Sequence, residues 1–198
     1  MHDGAARPCA AQIGPNTLLQ LVPVLDAAIG VAARQDLFEA AGVPALPTGE
    51  AMIDEAEAAA VHQMLLKMCP EAFPALAAAA GRGTGAYILN NRIPQAAQFV
   101  LRALPPALSS RLLLRAVRKN ARTFMGSGKF RVIRAYPPIL EIADNPVGRG
   151  VQADTPICHW HAAVFARLFG RLCGMGRVRE TACCAMGAPA CRFEITKI

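Results

Sequence analysis

Five of the seven cysteines in this 198-residue chain lie within its last 41 residues. The five are Cys158, Cys173, Cys183, Cys184 and Cys191. An odd number of cysteines, crowded into one segment, favours metal or thiol chemistry over a framework of disulfides. The C-terminal part of the chain must therefore fold in a way that gives these thiols either a shared metal ion or buried apolar surroundings.

The composition is apolar, with 54% hydrophobic and 18% charged residues. Such a chain either covers much of its surface with a partner or encloses an apolar ligand. No apolar run reaches the ~20 residues that a membrane span needs, and Met1 to Pro15 lacks the apolar core of a signal peptide. The sequence predicts a cytoplasmic protein and leaves peripheral contact with a membrane open.

The net charge of +7 favours anionic partners, namely nucleic acid, acidic lipid or a ligand that carries carboxylates. Nucleic acid is disfavoured, because the chain has only two Tyr and one Trp and shows no helix-turn-helix or zinc-finger spacing. We therefore expect no nucleic-acid partner.

The first half of the chain predicts helices. The Gly-, Ala- and Pro-rich stretch 1–15 is predicted to be a disordered tail, and 16–120 a helical region. Asn16 is a predicted N-cap, as is Ser109 or Ser110. The predicted helices run over 17–29, 34–41, 49–68, 70–81, 94–104 and 110–125.

After Gly128 the pattern changes to alternating apolar residues, which is typical of strands. Strands are predicted at 129–135 and 139–143, a long helix at 156–173, and a hairpin of strands 177–183 and 190–196. The order of elements predicts an α+β fold, in which a helical N-terminal half precedes a small antiparallel sheet with one long helix.

The predicted long helix and hairpin carry a candidate metal site. Cys158 falls in the first turn of the helix, Cys183 and Cys191 stand at the two ends of the hairpin, and Glu180 precedes Cys183 by three residues. Three thiolates and one carboxylate would form a closed tetrahedral zinc site, which is structural because no position is left open. His161 is a competing fourth ligand on the face of Cys158. The alternative is that the cysteines are small buried hydrophobic side chains.

The segments Pro156-Ile-Cys-His-Trp-His161 and 180–195 resemble the 4-vinyl reductase domain family. The resemblance covers about 121–198, the predicted second domain. It implies a fold related to the dimeric Bet3-type trafficking subunits, a small-molecule pocket and a zinc site. Matched residue by residue, the resemblance implies as zinc ligands Cys158, Glu180, Cys183 and Cys191.

The front half, with Thr123-Phe-Met-Gly-Ser-Gly128 and Asn145-Pro146, resembles the members of this family in bacteriochlorophyll biosynthesis. These are traditionally called divinyl (proto)chlorophyllide 8-vinyl reductases. The resemblance implies pathway enzymes as partners, a homodimer and a location in the cytoplasm or at the edge of the photosynthetic membrane.

A vinyl reduction needs a hydride or electron source. Gly81-Arg-Gly-Thr-Gly85 follows an alanine-rich helix, lacks dinucleotide spacing and is predicted to break that helix. The cysteines lack ferredoxin spacing. The sequence therefore favours a carrier that binds a tetrapyrrole of the Mg-protoporphyrin or protochlorophyllide type. An 8-vinyl reductase with a separately bound donor and a ligand-free dimeric scaffold are the alternatives.

Such a tetrapyrrole is an apolar disc with carboxylate edges and, in the magnesium forms, an open axial position. Arg115 and Arg122 belong to a basic helical stripe that we predict to meet the carboxylates, while Phe124 on the opposite face lines the pocket. His62, His159 or His161 is predicted to ligate the magnesium. The alternative for the stripe is an ordinary amphipathic helix with a solvated basic face.

Overall fold

The computed structural model describes residues 11–197. Its helices are α1 (Asn16–Leu19), α2 (Leu21–Ile29), α3 (Val31–Ala40), α4 (Glu55–Met68), α5 (Phe73–Asn91), α6 (Gln95–Ala103), α7 (Pro106–Lys119), α8 (Arg122–Met125) and α9 (His159–Cys173). Its strands are β1 (Gln12–Ile13), β2 (Ile53–Asp54), β3 (Lys129–Ala135), β4 (Pro138–Ala143), β5 (Arg177–Ala182) and β6 (Cys191–Thr196).

The main sheet has four antiparallel strands in the order β3-β4-β6-β5. Strand β6 follows β5 along the chain but lies between β4 and β5 in the sheet. The small pair β1-β2 lies apart from it, with Ile13 opposite Ile53. The predicted α+β fold is confirmed, with helices first and the antiparallel sheet, interrupted by α9, afterwards.

Helix α9 lies at the centre of the core and contacts α5, α7 and the strands β5 and β6. Its apolar residues recur at helical spacing, and Trp160, Phe165 and Phe169 are almost completely buried. The Phe165 ring contacts Phe193 of β6 with centroids 5.3 Å apart. One hydrophobic core thus extends from the first helices to the sheet, and the predicted division into 16–120 and 121–198 stays a prediction.

The predicted break at Gly81-Arg-Gly-Thr-Gly85 is wrong, because α5 runs without interruption from Phe73 to Asn91. Two of these glycines, Gly81 and Gly85, allow α9 to pack closely against α5. A Cβ on Gly81 would collide with the backbone oxygen of Trp160, and one on Gly85 would lie 2.6 Å from the Cβ of Arg167. Glycine is used here for helix contact, and the packing outweighs its low helix propensity.

Two predicted N-caps are also wrong. Asn16 is already inside α1, after Pro15, and its Oδ1 accepts a hydrogen bond of 3.1 Å from Gln20 Nε2. Ser109 and Ser110 are buried within α7, which begins at a proline instead.

Several predicted helix limits shift as well. The predicted helix 17–29 is divided into α1 and α2 at Gln20, and the predicted helix 110–125 ends at Lys119 before a separate α8. The helix predicted from residue 49 begins only at Glu55, where the Asp54 side chain accepts a hydrogen bond from Ala56 N.

The predicted disordered tail 1–15 lies mostly outside the described residues. Its inner part is ordered, because Gln12 and Ile13 form β1 and Gly14 N donates to Thr123 O at 2.9 Å. No helix in the described residues is both long and apolar enough to cross a membrane.

Candidate functional site

The structure brings the four predicted metal ligands together at one end of the sheet. Cys158 is the N-cap of α9 rather than a residue of its first turn, Glu180 lies on β5, Cys183 follows β5, and Cys191 begins β6. One ligand atom of each lies within 4.8 Å of the others. The Cys158 and Cys191 Sγ atoms are 3.2 Å apart. This spacing fits a tetrahedral ion with three sulfur ligands and one oxygen ligand.

A strand irregularity explains how Glu180 and Cys183 reach the same point. Residues three apart on a regular strand point to opposite faces of the sheet. The register of β5 against β6 shifts between Glu180 and Ala182, where the partners are Phe193 and Arg192. The irregularity changes the alternation and directs both side chains to the end of α9.

The hydrogen bonds around the cluster hold three of the ligands and leave one oxygen free. Glu180 Oε2 accepts a hydrogen bond of 3.0 Å from Cys158 N. Asn145 Nδ2 donates to Cys158 Sγ at 3.3 Å, and Cys184 N donates to Cys191 Sγ at 3.4 Å. Glu180 Oε1 is buried without a partner in the described part of the chain. N–H donors to sulfur and an orphan carboxylate oxygen are what a metal site requires of its surroundings.

The Glu180 carboxyl and the three cysteine thiols strongly shift the pKa values of one another. Burial, and next the charge of Cys183, raises the pKa of Glu180 to about 8. Hydrogen bonds with the side chains of Cys183 and Cys191, followed by burial, raise the pKa of Cys158. So many negative groups cannot all ionise in a buried site without a cation. A divalent ion would supply that positive charge and favour the ionised forms that bind it.

His161 lies outside this cluster, in the core. Its Nε2 donates a hydrogen bond of 2.9 Å to the carbonyl oxygen of Phe124. His62 has the same arrangement, with Nε2 donating to Thr17 O at 3.1 Å. Since carbonyl oxygens only accept, each ring carries its proton on Nε2 and a bare lone pair on Nδ1.

These two imidazoles flank Trp160. The Trp160 and His161 ring centroids are 4.8 Å apart, and those of His62 and Trp160 are 6.2 Å apart. Burial lowers the pKa of both histidines to about 4, so both are neutral at pH 7. The Nδ1 atoms of both, and Nε1 of Trp160, are buried without partners among the described residues.

The other predicted ligand-binding residues divide between the core and the surface. Phe124 is buried and contacts Phe130 and Phe165 edge to face. Arg122 and Arg115 are exposed on α8 and α7. The structure therefore brings Phe124 to His161 but leaves both arginines in solvent.

One polar cluster was not predicted from the sequence. The buried carboxylate of Glu55 accepts hydrogen bonds from Ser127 N at 2.6 Å, Ser127 Oγ at 2.7 Å and Arg149 at 3.1 Å. Burial acts to raise the pKa of Glu55, but these hydrogen bonds outweigh it and hold the pKa below its ordinary value. The cluster joins the start of α4 to the turn before β3 and to the loop after β4. The sequence carries no signal for it, because Glu55 has the same pattern as any acidic residue in a first helical turn.

Comparison with known proteins agrees with this fold. Residues 138–197 match the 4-vinyl reductase domain, which confirms the family predicted from the cysteine segment. In fold, the chain resembles an H-NOX protein from K. algicida, with a TM-score of 0.61 at 10% identity, covering 94% of this chain and 97% of that one.

Two relatives extend the match to almost the entire sequence. The chain is 53% identical to the bacteriochlorophyll synthase 23 kDa chain of Cereibacter sphaeroides, over 94% of this chain and 91% of the relative. It is 44% identical to the protein of that name from Rhodobacter capsulatus, over 93% of this chain and 86% of the relative. The chain therefore belongs to the family of the bacteriochlorophyll synthase 23 kDa chain and carries a 4-vinyl reductase domain in its C-terminal part.

Proposed function

We propose that this protein takes part in bacteriochlorophyll synthesis by binding a magnesium tetrapyrrole intermediate and delivering it to enzymes of the pathway. Its membership of the family of the bacteriochlorophyll synthase 23 kDa chain supports the pathway and the partners. The observation that carries the binding role is the bare Nδ1 atom of His161, a neutral imidazole buried beside Trp160 and Phe124.

A buried nitrogen without a partner is unfavourable unless something supplies the missing bond. A neutral imidazole lone pair is a suitable axial ligand for a magnesium ion in a macrocycle. His161 fits this role because its tautomer is fixed by the Phe124 carbonyl. His62 is the second candidate, with its tautomer fixed by the Thr17 carbonyl.

The remaining contacts follow from the chemistry of the ligand. The aromatic side chains of Phe124 and Trp160 offer apolar surface to a macrocycle, and Arg122 and Arg115 are the cations that would meet its carboxylates. His161 is only 1% exposed, so the core on the Nδ1 side of its ring must open for a ligand to reach it, while the bond from Nε2 to Phe124 O is kept.

The cluster of Cys158, Glu180, Cys183 and Cys191 supports a binding role rather than a reductive one. Four protein ligands would hold zinc in a closed site, and a closed site stabilises the fold without offering a position for substrate. Zinc would here join α9 to β5 and β6, next to the histidines of the proposed ligand site. Homodimer formation and a cytoplasmic location stay predictions.

The test is a titration of the purified zinc-loaded protein with Mg-protoporphyrin and, in parallel, with metal-free protoporphyrin. The expected result is a saturable shift of the Soret band at one ligand per chain, with tighter binding of the magnesium form. Because only the magnesium form can accept an axial ligand, His161→Leu should remove the preference and leave weak binding of both forms. His62→Leu is the matched control. If it reduces the preference for the magnesium form more than His161→Leu does, His62 is the axial ligand.

Two results would contradict the proposal. One is the absence of any spectral shift at micromolar protein and pigment. The other is conversion of a divinyl pigment to its reduced form by this protein with NADPH alone, which would assign it a reductase activity.

A further inference from the structure

We infer that the surface formed by α6 and α7 docks on an anionic lipid membrane. This α6–α7 surface consists of Phe99, Val100, Leu108 and Leu112 together with the cations Arg102 and Arg111. It is separate from the metal cluster and from His161, and it goes beyond the proposed binding of a tetrapyrrole.

Helix α6 holds two large apolar side chains outward, although its Leu101 packs against the core. None of its residues is buried, and Phe99 and Val100 are 73% and 52% exposed. Its polar residue Gln98 faces the protein instead, where Nε2 donates hydrogen bonds to the carbonyl oxygens of Leu89 and Ile93. A helix normally buries its apolar face. An apolar face held outward therefore indicates a surface that is covered in the working protein.

Helix α7 contacts α6 and also exposes apolar side chains. Leu108 and Leu112 lie one turn apart and are 44% and 36% exposed. Arg111 follows Leu108 by three residues, shares that face and is exposed. Apolar side chains between arginines are typical of helices that lie in the headgroup region, because the long arginine side chains reach the phosphates while the apolar groups enter the acyl boundary.

The charge of this region selects an anionic partner. Between Glu71 and Glu141 the sequence has no Asp or Glu, and all its cations in that interval are exposed. They are Arg82, Arg92, Arg102, Arg111, Arg115, Arg118, Lys119, Arg122, Lys129, Arg131 and Arg134.

The cations of the α6–α7 surface are also free of ion pairs. Within residues 11–197, no carboxylate pairs with Arg102 or Arg111. A protein partner would need an acidic patch of matching shape, with charges placed to fix its orientation. A surface of one sign with exposed apolar residues fits the uniformly negative face of a membrane better.

The test is co-sedimentation of the full-length protein with vesicles of phosphatidylcholine alone or mixed with phosphatidylglycerol. The protein should bind the anionic vesicles, bind the neutral ones weakly and dissociate at high salt. Phe99→Ser/Val100→Ser should weaken binding to anionic vesicles by about tenfold or more, because apolar area no longer enters the bilayer. Val31→Ser is the control, since Val31 on α3 is also 52% exposed but lies outside the surface.

Two further variants, each of which removes two positive charges, test the electrostatic part of the inference. Arg102→Gln/Arg111→Gln should weaken binding at low salt, whereas Arg171→Gln/Arg177→Gln, which removes the same charge elsewhere, should have a smaller effect. The inference is overturned if the wild type does not bind anionic vesicles. It is also overturned if Phe99→Ser/Val100→Ser binds them as Val31→Ser does, or if the two double-arginine variants bind them equally. It is also overturned if the Phe99/Val100 variant changes only the oligomeric state, which would make this surface an interface between chains.

This result is independent of the tetrapyrrole titration. Phe99→Ser/Val100→Ser should bind Mg-protoporphyrin in solution as the wild type does. If neither the wild type nor the variant binds the pigment but the vesicle results are as expected, the proposed function is contradicted and membrane docking is still supported.

Discussion

The backbone N–H of Cys158 donates a hydrogen bond of 3.0 Å to Oε2 of Glu180, which is 22 positions further along the chain. This bond joins the N-terminus of α9 to β5 and places a carboxylate at the positive end of a helix. It also leaves Oε1 of Glu180 without a partner in the described part of the protein, although that atom is buried. Oε1 is therefore the oxygen that the cluster has available for an ion.

Replacing a cluster thiol should remove both metal and stability. Cys183→Ser is expected to reduce the metal content from about one zinc per chain to near zero and to lower the free energy of unfolding by several kcal/mol, because metal binding contributes directly to folding. Elemental analysis and urea denaturation measure the two effects. Cys184→Ser is the control, since Cys184 lies outside the ligand set and its thiol donates to Ile142 O at 3.9 Å. Retention of zinc by Cys183→Ser would exclude the proposed ligand set.

Two glycines of α5 should respond in opposite ways to the same substitution. Gly81→Ala forces apart α5 and α9, because the new Cβ meets the backbone of Trp160, and should destabilise the protein by about 2 kcal/mol or more. Gly83→Ala meets only the movable end of the Gln20 side chain and should be neutral or stabilise by up to about 1 kcal/mol through helix propensity. Thermal unfolding compares them. Equal effects would show that the α5–α9 contact does not depend on Gly81.

The buried carboxylate of Glu55 should be important for joining α4 to the segments around β3 and β4. Glu55→Ala leaves Ser127 and Arg149 without their acceptor and should lower the free energy of unfolding by about 3 kcal/mol. Arg149→Ala should cost about 1 kcal/mol or less, because the Arg149 side chain is half exposed. Glu57→Ala, an exposed carboxylate in the same helical turn, is the control for helix effects. A loss in Glu55→Ala no larger than in Glu57→Ala would contradict the role of the cluster.

Acid should destabilise the protein through its buried histidines. The pKa values of His62 and His161 are about 4 in the folded chain, against 6.5 for an unperturbed imidazole. Between these values the unfolded state binds more protons, so stability is fully present above pH 6.5 and is lost as the pH falls toward 4. Each histidine contributes a slope of at most about 1.4 kcal/mol per pH unit.

The measurement is the free energy of unfolding of wild type, His62→Leu and His161→Leu between pH 7.5 and 4.5. The pH dependence of each variant should be shallower than that of the wild type. Metal ligands titrate in all three proteins, so the difference between slopes belongs to the replaced imidazole. Parallel curves would mean that the replaced histidine has the same pKa in the folded and unfolded states.

The sequence predicts those parts of the fold that depend on local pattern. Strand β3 has the predicted limits, Lys129–Ala135, because alternating apolar residues between Gly128 and a pair of prolines leave few alternatives. The grouping of Cys158, Glu180, Cys183 and Cys191 is also predictable, because the hairpin ends and the start of α9 bring these residues together, whereas binding of an ion stays a prediction.

The parts that depend on contacts between distant segments are not predictable. The low helix propensity of Gly81 can be read from the sequence and predicts a helix break. Its contact with Trp160, which decides the outcome, cannot be read from the sequence. Ser110 has the composition of an N-cap, but it is buried and donates a hydrogen bond to Ala135 O of β3 instead. Glu55 and Ser127 form a hydrogen bond although they are 72 positions apart in the sequence, and no local pattern predicts such a pairing.

The position of β6 has a consequence for the order of assembly during synthesis. Strands β4 and β5 have no common neighbour until β6, which the ribosome makes after both, enters between them. Cys191 begins that strand. Until β6 has left the ribosome, the nascent domain therefore has an open slot between two strand edges and an incomplete set of thiols, so a metal ion held by all four ligands would be captured only after this strand has emerged.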